Sequence, residues 1–458
     1  MNATSGRGLA GVVATALMAS AALASQVAAQ ARFASATDEE VTYAEDVAPV
    51  IYENCIVCHR DGGIAPMNLL TYEDARRYAA RIRAQVSNEI MPPSAYDRHI
   101  GIQDLQEDWR LSEEEIQTIV SWVDQGAPLG DPSKVPPLPE LPDPSAWTMA
   151  ERFGTPDLII RSTPIDVPAN GNDMWHRPIV PTGVTEDRCI KAAQVKPAGN
   201  AVTVVHHAIP SFQRTLPDGT VENLDRATEY AMGKYGEIIP EGVCRVLPAN
   251  SEVRWDIHLY PGGLGSTAPG SVIEDNVVEL GIWLYPEDYQ YEYKQDLALY
   301  GFEEGQTEMV IPPHGKVMTQ GYDVFDHPVR IDSWQPHGHL RLRAASLEVF
   351  YPETGRTEVI SMVSNWSAQW HQSHIYAPDK APLIPAGAVI IQKNWYDNTE
   401  DNPNNPDPDQ WVNYGSRTAD EMSHGWMAIT HLDEEGYRQL LAEREAAQAR
   451  PAAEQQQE

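Results

Sequence analysis

The hydrophobic pattern changes character along the chain. Leu9 to Leu23 (LAGVVATALMASAAL) is an almost unbroken apolar run behind the single cation Arg7. Between residues 43 and 128 the apolar positions instead recur at helical spacing. Tyr72 to Ile90 is rich in helix formers. Ser112 followed by Glu113, Glu114 and Glu115 opens a further helix with a cap and an acidic first turn. Its stripe is Ile116, Ile119, Val120 and Val123, and Gly126 ends it. From about residue 155 the texture becomes short runs of β-branched and aromatic residues, as at Val202–Val205, Val277–Leu284, Glu308–Ile311, Leu347–Tyr351 and Ala388–Gln392. Pro, Gly, Asn and Asp punctuate them. This predicts an all-β sandwich or jelly roll. The roughly 280 residues of this texture exceed one sandwich of ~100 residues, so two are expected, with a break near 312–325. A helical period returns only in the tail from Asp433, whose end (ARPAAEQQQE) is low-complexity.

The 458 residues are too many for one ordinary core. The expected multidomain order is a signal peptide (1–31), a small all-α domain (43–130), a Pro-rich linker (131–150), two all-β sandwiches (155–315 and 320–432) and a polar tail (433–458). Six prolines in 131–145 make the linker extended and semi-rigid. The Leu9–Leu23 run followed by Ala29-Gln30-Ala31 fits a cleaved secretory signal, with an uncleaved anchor as the alternative. No later stretch reaches the ~20 apolar residues of a membrane span. The expected location is therefore periplasmic or secreted, without a membrane span once the signal is removed.

Charge narrows the partners. Against 33 Lys+Arg stand 66 Asp+Glu, a net charge of −33. Phosphate backbones and anionic lipid surfaces would be repelled, which argues against nucleic acid. A basic soluble electron carrier is compatible, as is a surface that simply keeps a secreted protein soluble.

There are four cysteines: Cys55, Cys58, Cys189 and Cys244. In an oxidising compartment the latter two can pair as a disulfide, or remain buried thiols. Cys55-Ile56-Val57-Cys58-His59 is C-x-x-C-H, the c-type haem attachment signature: two thiols bond the haem vinyls and the adjacent His reaches the iron. A redox C-x-x-C is the competing reading. A sulfur sixth ligand would raise the potential. Met91, opening Met91-Pro92-Pro93 after a helix, is favoured for that position. Met67 and His99 are the alternatives. With its C-x-x-C-H and downstream Met-Pro-Pro, this segment resembles class I cytochrome c.

The β region holds further metal-ligand types. Val204-Val205-His206-His207 pairs two histidines in a strand-like run, and Val253 to His258 ends another such run in a third. Adjacent strand residues face opposite ways, so joint ligation by His206 and His207 needs a bulge or a strand end. Pro336-His337-Gly338-His339 is H-x-H, whose histidines would share one face on a strand. Asp420-Glu421-Met422 adds a thioether. Imidazole suits Cu(II) and thioether favours Cu(I). Together these residues resemble the copper type II, ascorbate-dependent monooxygenase family, which includes peptidylglycine α-hydroxylating and dopamine β-monooxygenases. The resemblance covers about residues 155–432. It implies two jelly-roll-type sandwiches with one copper each. One ion would be held by His206, His207 and His258. The dioxygen-binding, catalytic ion would be held by His337, His339 and Met422. Ser423 stands where the animal enzymes have a cysteine after the Met. His371, His374 and His424 could orient ligands. His176, His314, His327 and His431 carry no assignment.

The function this implies is a copper-dependent monooxygenase that hydroxylates an organic substrate with dioxygen. Its cofactors would be covalent haem c and two coppers, and the haem would take the place of ascorbate by passing electrons from a periplasmic donor. A haem and copper electron-transfer or redox-sensing protein is the alternative. A haem peroxidase is disfavoured, because a Met-ligated iron leaves peroxide no open position.

Overall fold

The computed structural model describes residues 40–449 except 62, 64, 66, 107, 142, 144–145, 169, 172, 232–235, 260, 262–271, 301–308 and 369. The expected signal peptide and the last nine residues lie outside the described residues. The chain is mostly β, with several sheets and a few helices. It divides into two compact units. One comprises the chain up to Ser94 together with Trp109–Leu141. The other comprises Ala95–Asp108 and everything from Pro142 on.

The first unit is the helical one. Tyr43–Val47 form a short π-helical turn leading into α1 (Ala48–Asn54). α2 (Tyr72–Ser87) and α3 (Glu113–Asp124) follow. The Thr71 hydroxyl accepts the Asp74 N–H at 3.1 Å and starts α2. Ser112 and Glu115 cap α3 reciprocally, at 3.2 Å and 2.7 Å, a capping box. α2 stops three residues short of Ile90, because Glu89 takes a left-handed conformation (φ +55°). The apolar stripes of α2 and α3 meet Tyr43, Ile51 and Ile56 in one core around Trp122.

The principal strands of the second unit are β1 (Tyr96–Gly101), β2 (Leu158–Arg161), β3 (Arg188–Ala198), β4 (Val205–Thr215), β5 (Val243–Leu247), β6 (Glu252–Leu259), β7 (Val272–Leu284), β8 (Tyr293–Tyr300), β9 (Lys316–Val324), β10 (Val329–His337), β11 (Leu342–Tyr351), β12 (Arg356–Val363), β13 (Val389–Asp397) and β14 (His424–His431). Helix α4 (Glu434–Ala449) follows them. An 11-stranded sheet carries the order β2-β7-β3-β5-β8-β14-β10. A 6-stranded sheet built on β6 and β4 covers one part of it and encloses a core with Phe212 and Trp255. A 5-stranded sheet, β1-β12-β11-β13-β9, covers the other part over Trp334, Leu347 and Ile390. The two sandwiches thus share one sheet, joined where β5 and β8 pair in parallel at Val243–Tyr293 and Cys244–Lys294.

Two expectations need correction. Residues 312–325 are not a break, because Lys316–Val324 form β9, the edge of the 5-stranded sheet. Its alternating exposure gives it no apolar run. Residues 95–108, which lie within the expected helical domain, group with the second unit, where β1 pairs antiparallel with β12.

A Cys189–Cys244 disulfide ties β3 to β5. Beside it lies a buried polar network. Arg245, 1% exposed, donates to Glu237 at 2.5 Å, to the Ala227 carbonyl at 2.6 Å and to Gln295 at 2.6 Å. Gln295 donates in turn to Asp332 at 2.6 Å, and Asp332 also accepts from Arg330 and Thr430. The network therefore runs from β5 through β8 to β10, across the junction of the two sandwiches. Buried charges persist only when matched in this way. Among the described residues, no helix is long and apolar enough to cross a membrane.

Candidate metal and haem sites

In the helical unit, the end of α1 delivers C-x-x-C-H. Cys55 caps α1, and the His59 N–H returns to the Cys55 carbonyl at 2.9 Å. The His59 Nδ1 lies 3.1 Å from the Met67 carbonyl. That contact fixes the ring and leaves Nε2 as the ligating atom, the usual arrangement for a histidine that binds metal. Burial lowers the His59 pKa, which favours the neutral, ligating form. Burial also pushes the Cys55 thiol up to about 12, the opposite of what an exchange-active dithiol needs. The residues present therefore fit a covalently attached haem better than a redox C-x-x-C. Met91 follows the turn that ends α2, its N–H 3.3 Å from the Gln85 carbonyl. Met67 packs against the helical core. His99 lies exposed in β1 of the second unit.

In the β unit, β4 and β6 pair antiparallel and bring the first three histidines together. His258 faces His207, and the next pair is Leu259 with Val205. His206 is thus the extra residue of a bulge, which turns both neighbouring imidazoles to one side. The potential ligand atoms of His206, His207 and His258 all lie within 4.8 Å of one another. Ring centroids are 5.4, 5.2 and 4.9 Å apart. His258 Nδ1 and His207 Nε2 are 3.2 Å apart. Two nitrogens bound to one ion at ~2.0–2.1 Å stand ~3.3 Å apart at the tetrahedral angle. The His206 Nδ1, His207 Nδ1 and His258 Nε2 atoms are buried without a hydrogen-bond partner. For His207 and His258 these are the ring nitrogens opposite the facing His207 Nε2–His258 Nδ1 edge, so that edge and the His206 Nδ1 are the positions open to a shared ion. All three rings are held neutral, chiefly by burial: His206 is lowered, His207 well below the ordinary value, and His258 to about 4. Trp175 stacks on His258 at 4.5 Å, and Asp173 Oδ2 lies 3.4 Å from its Nε2.

The second set is arranged differently. His337 is the last residue of β10. His339 has already left the strand, so the expected same-face strand pairing does not apply. The two rings are nonetheless 5.4 Å apart and edge-on. The Asp420-Glu421-Met422 segment locks them. The Asp420 carbonyl lies 3.1 Å from His339 Nδ1. The Glu421 carboxylate accepts the backbone N–H groups of His339 at 2.7 Å and Arg341 at 2.6 Å. The Met422 carbonyl accepts the Tyr396 hydroxyl at 2.7 Å. Met422 itself is part-buried, two residues before His424, whose ring stacks on His337 at 4.6 Å. Burial drives His337 well below its ordinary pKa and lowers His339 to about 4. The carboxyl of Glu421 is raised to about 7, by burial against its own hydrogen bonds.

The other histidines separate clearly. His371 lies between the two sets, 5.5 Å from His206 and 5.0 Å from His337 by ring centroid. His374 packs on Tyr96 and Trp334. His176 bonds Thr163 at 2.9 Å. His314 lies between Glu400 and Asp409 at the surface. His327 bonds His431, which reaches Asp296.

No family model matches the chain, and no curated protein matches it in sequence. Solved structures overlap it only distantly. The major capsid protein P2 from bacteriophage PM2 covers 60% of this chain and 99% of its own length, at 7% identity and a TM-score of 0.24. The N-terminal CBM22-1-CBM22-2 tandem domain of Paenibacillus barcinonensis Xyn10C covers 61% and 98%, at 10% identity and 0.15. Overlaps at these scores carry no argument, and the β-sandwich description stands on the strand pairing above.

Proposed function

We propose that the chain is an extracytoplasmic, haem-linked copper monooxygenase that hydroxylates an organic substrate with dioxygen. Most of the weight rests on one observation: the potential ligand atoms of three neutral imidazoles, His206, His207 and His258, all lie within 4.8 Å of one another. Soft and imidazole donors of this kind suit copper that changes oxidation state. His206, His207 and His258 would hold one ion, and His337, His339 and Met422 the other. Bound copper would supply one-electron redox chemistry and dioxygen binding. The chain's own contribution is to keep every imidazole deprotonated by burial and to pin His339 through Asp420 and Glu421. Cys55, Cys58 and His59 would hold haem c, with Met91 as its sixth ligand, and the haem would receive electrons from a periplasmic donor. The Cys189–Cys244 disulfide is compatible with that compartment.

The test is copper per haem in protein matured with covalent haem, for the wild type, His206→Ala and Met422→Ala. The proposal expects two coppers per haem, a partial loss in each variant, and substrate-dependent oxygen uptake. Copper that binds and is reduced through the haem without any oxygen uptake would leave an electron-transfer or sensing protein. No copper after reconstitution would end the monooxygenase reading and leave a cytochrome attached to a β-sandwich module.

A further inference from the structure

The two ring nitrogens of His258 face different neighbours. Nδ1 lies 3.2 Å from His207 Nε2, on the edge open to a shared ion. Nε2 lies 3.4 Å from Asp173 Oδ2, at ion-pair distance. A short strand, Met174–His176, brings the carboxylate there. It pairs antiparallel with β6 and sets Trp175 opposite His258. The Trp175 ring then lies flat on the imidazole, 4.5 Å away and 6° from parallel. Trp175 thus fixes the plane of the ring, and Asp173 meets its far edge. A neutral imidazole carries one N–H. With that proton on Nε2, toward the carboxylate, the Nδ1 lone pair is left for an ion. A ligating histidine commonly donates its other N–H to a carboxylate, which orients the ring and makes it a stronger ligand. The Asp173 side chain is only 16% exposed, so little solvent screens its charge.

Asp173 is itself held in place. The same Oδ2 accepts the Thr418 hydroxyl at 2.5 Å and the Thr418 backbone N–H at 3.3 Å. Thr418 precedes by two residues Asp420, whose carbonyl lies 3.1 Å from His339 Nδ1. One carboxylate oxygen therefore stands both against His258 and against the loop that holds His339.

We propose that Asp173 is the positioning residue of the His206/His207/His258 metal position, accepting the His258 Nε2–H when an ion sits on Nδ1, and that Thr418 fixes it there, so that this position depends on the loop that also carries Met422. The proposal rests on the copper reading above and adds to it a residue that touches no ion.

The test uses the full-length, haem-matured chain carrying Met422→Ala, which leaves the His206/His207/His258 position as the copper site under study. Copper affinity is read by competition with a chelator, and the copper reduction potential by titration, with the haem band followed separately. Asp173→Asn, nearly the same in shape, is expected to bind copper ~10–100-fold more weakly. It is also expected to raise the copper reduction potential, because a negative charge behind a ligand favours Cu(II) over Cu(I). Thr418→Val removes only the hydroxyl that Asp173 accepts, and is expected to weaken copper binding in the same direction by a smaller factor. Urea midpoints taken without added copper separate lost folding from lost positioning. Asp173→Asn with the background's affinity or potential would overturn the proposal, since a carboxylate that merely packs would leave the potential where it is. Thr418→Val with unchanged affinity would overturn the dependence on the loop. A background protein that binds no copper would instead remove the metal reading on which the proposal rests.

Discussion

The carboxylate of Glu421 accepts the backbone N–H of His339 at 2.7 Å, and its second oxygen takes that of Arg341 at 2.6 Å. One fully buried side chain thereby sets the course of the loop that carries His339. Arg341 is anchored below it through Asn398 and the Ala419 carbonyl. Glu421→Ala would leave both N–H groups unsatisfied, at about 1–3 kcal/mol each. The expected outcome is selective. Copper at the His337/His339 position is lost, copper at His206/His207/His258 is retained, and the thermal midpoint falls. Glu421→Gln keeps one acceptor oxygen and should give an intermediate copper content. Equal loss from both positions would mean that the residue acts on the fold as a whole.

The Arg245 network holds the shared sheet across its weakest seam, where β5 and β8 pair through only Val243–Tyr293 and Cys244–Lys294. Arg245→Ala strands the buried Glu237 carboxylate and should cost about 3–5 kcal/mol. Removing both partners together, as Arg245→Met with Glu237→Gln, should recover most of that stability. Urea midpoints of the single and double variants measure the difference. A double variant as unstable as Arg245→Ala alone would show that the guanidinium's bonds to Gln295 and Ala227, not its charge pairing, carry the stability.

How much of this was legible in the sequence depended on how local each signal was. The helix start at Ser112 rests on residues three positions apart and formed as expected, whereas the Thr71 cap of the helix expected from Tyr72 was not read in advance. The need for a bulge at His206-His207 followed from the two-residue period of a strand, and the bulge is there. By contrast, β9 and β1 were missed. Lys316–Val324 is an edge strand with a polar face, and Tyr96–Gly101 is a short segment exposed at one end, so neither shows an apolar run. The role of Glu421 could not be read at all, and His371 was read only as a group that could orient ligands. Glu421 acts on a loop 82 residues away, and His371 meets His206 and His337 only once the strands are paired. H-x-H suggested a strand pair, whereas the geometry comes from the chain leaving β10 at His337.

Asp225 gives the protein a pH dependence of its own. Its carboxyl is raised to about 6, chiefly by burial, against the opposing pull of Arg245 and the N–H groups of Arg226 and Leu297. Asp296 adds to the rise. A carboxyl with a raised folded-state pKa holds its proton more tightly folded than unfolded. Its stabilising contribution is therefore complete below the unfolded value, about pH 4, and is lost as pH climbs to about 6. The loss is of the order of 1–3 kcal/mol. Asp225→Asn should flatten that segment of the stability curve, measured by denaturant unfolding across pH 4–7. An unchanged slope in the variant would assign the dependence to another group.

The choice of sixth haem ligand can be argued from His59. Its Nδ1 edge faces the Met67 carbonyl at 3.1 Å, so the Met67 backbone already holds the ring edge away from Nε2, the atom that would bind a haem iron. Met67 is moreover packed against the helical core, whereas Met91 comes after α2 and outside that core. In haem-loaded protein, Met91→Ala should abolish the visible band that reports sulfur ligation and lower the reduction potential, because a thioether ligand raises it. Met67→Ala should keep both the band and the potential while costing about 2–5 kcal/mol of stability as a core truncation, toward the low end because the side chain is only partly buried. Loss of the band in Met67→Ala with retention in Met91→Ala would reverse the assignment.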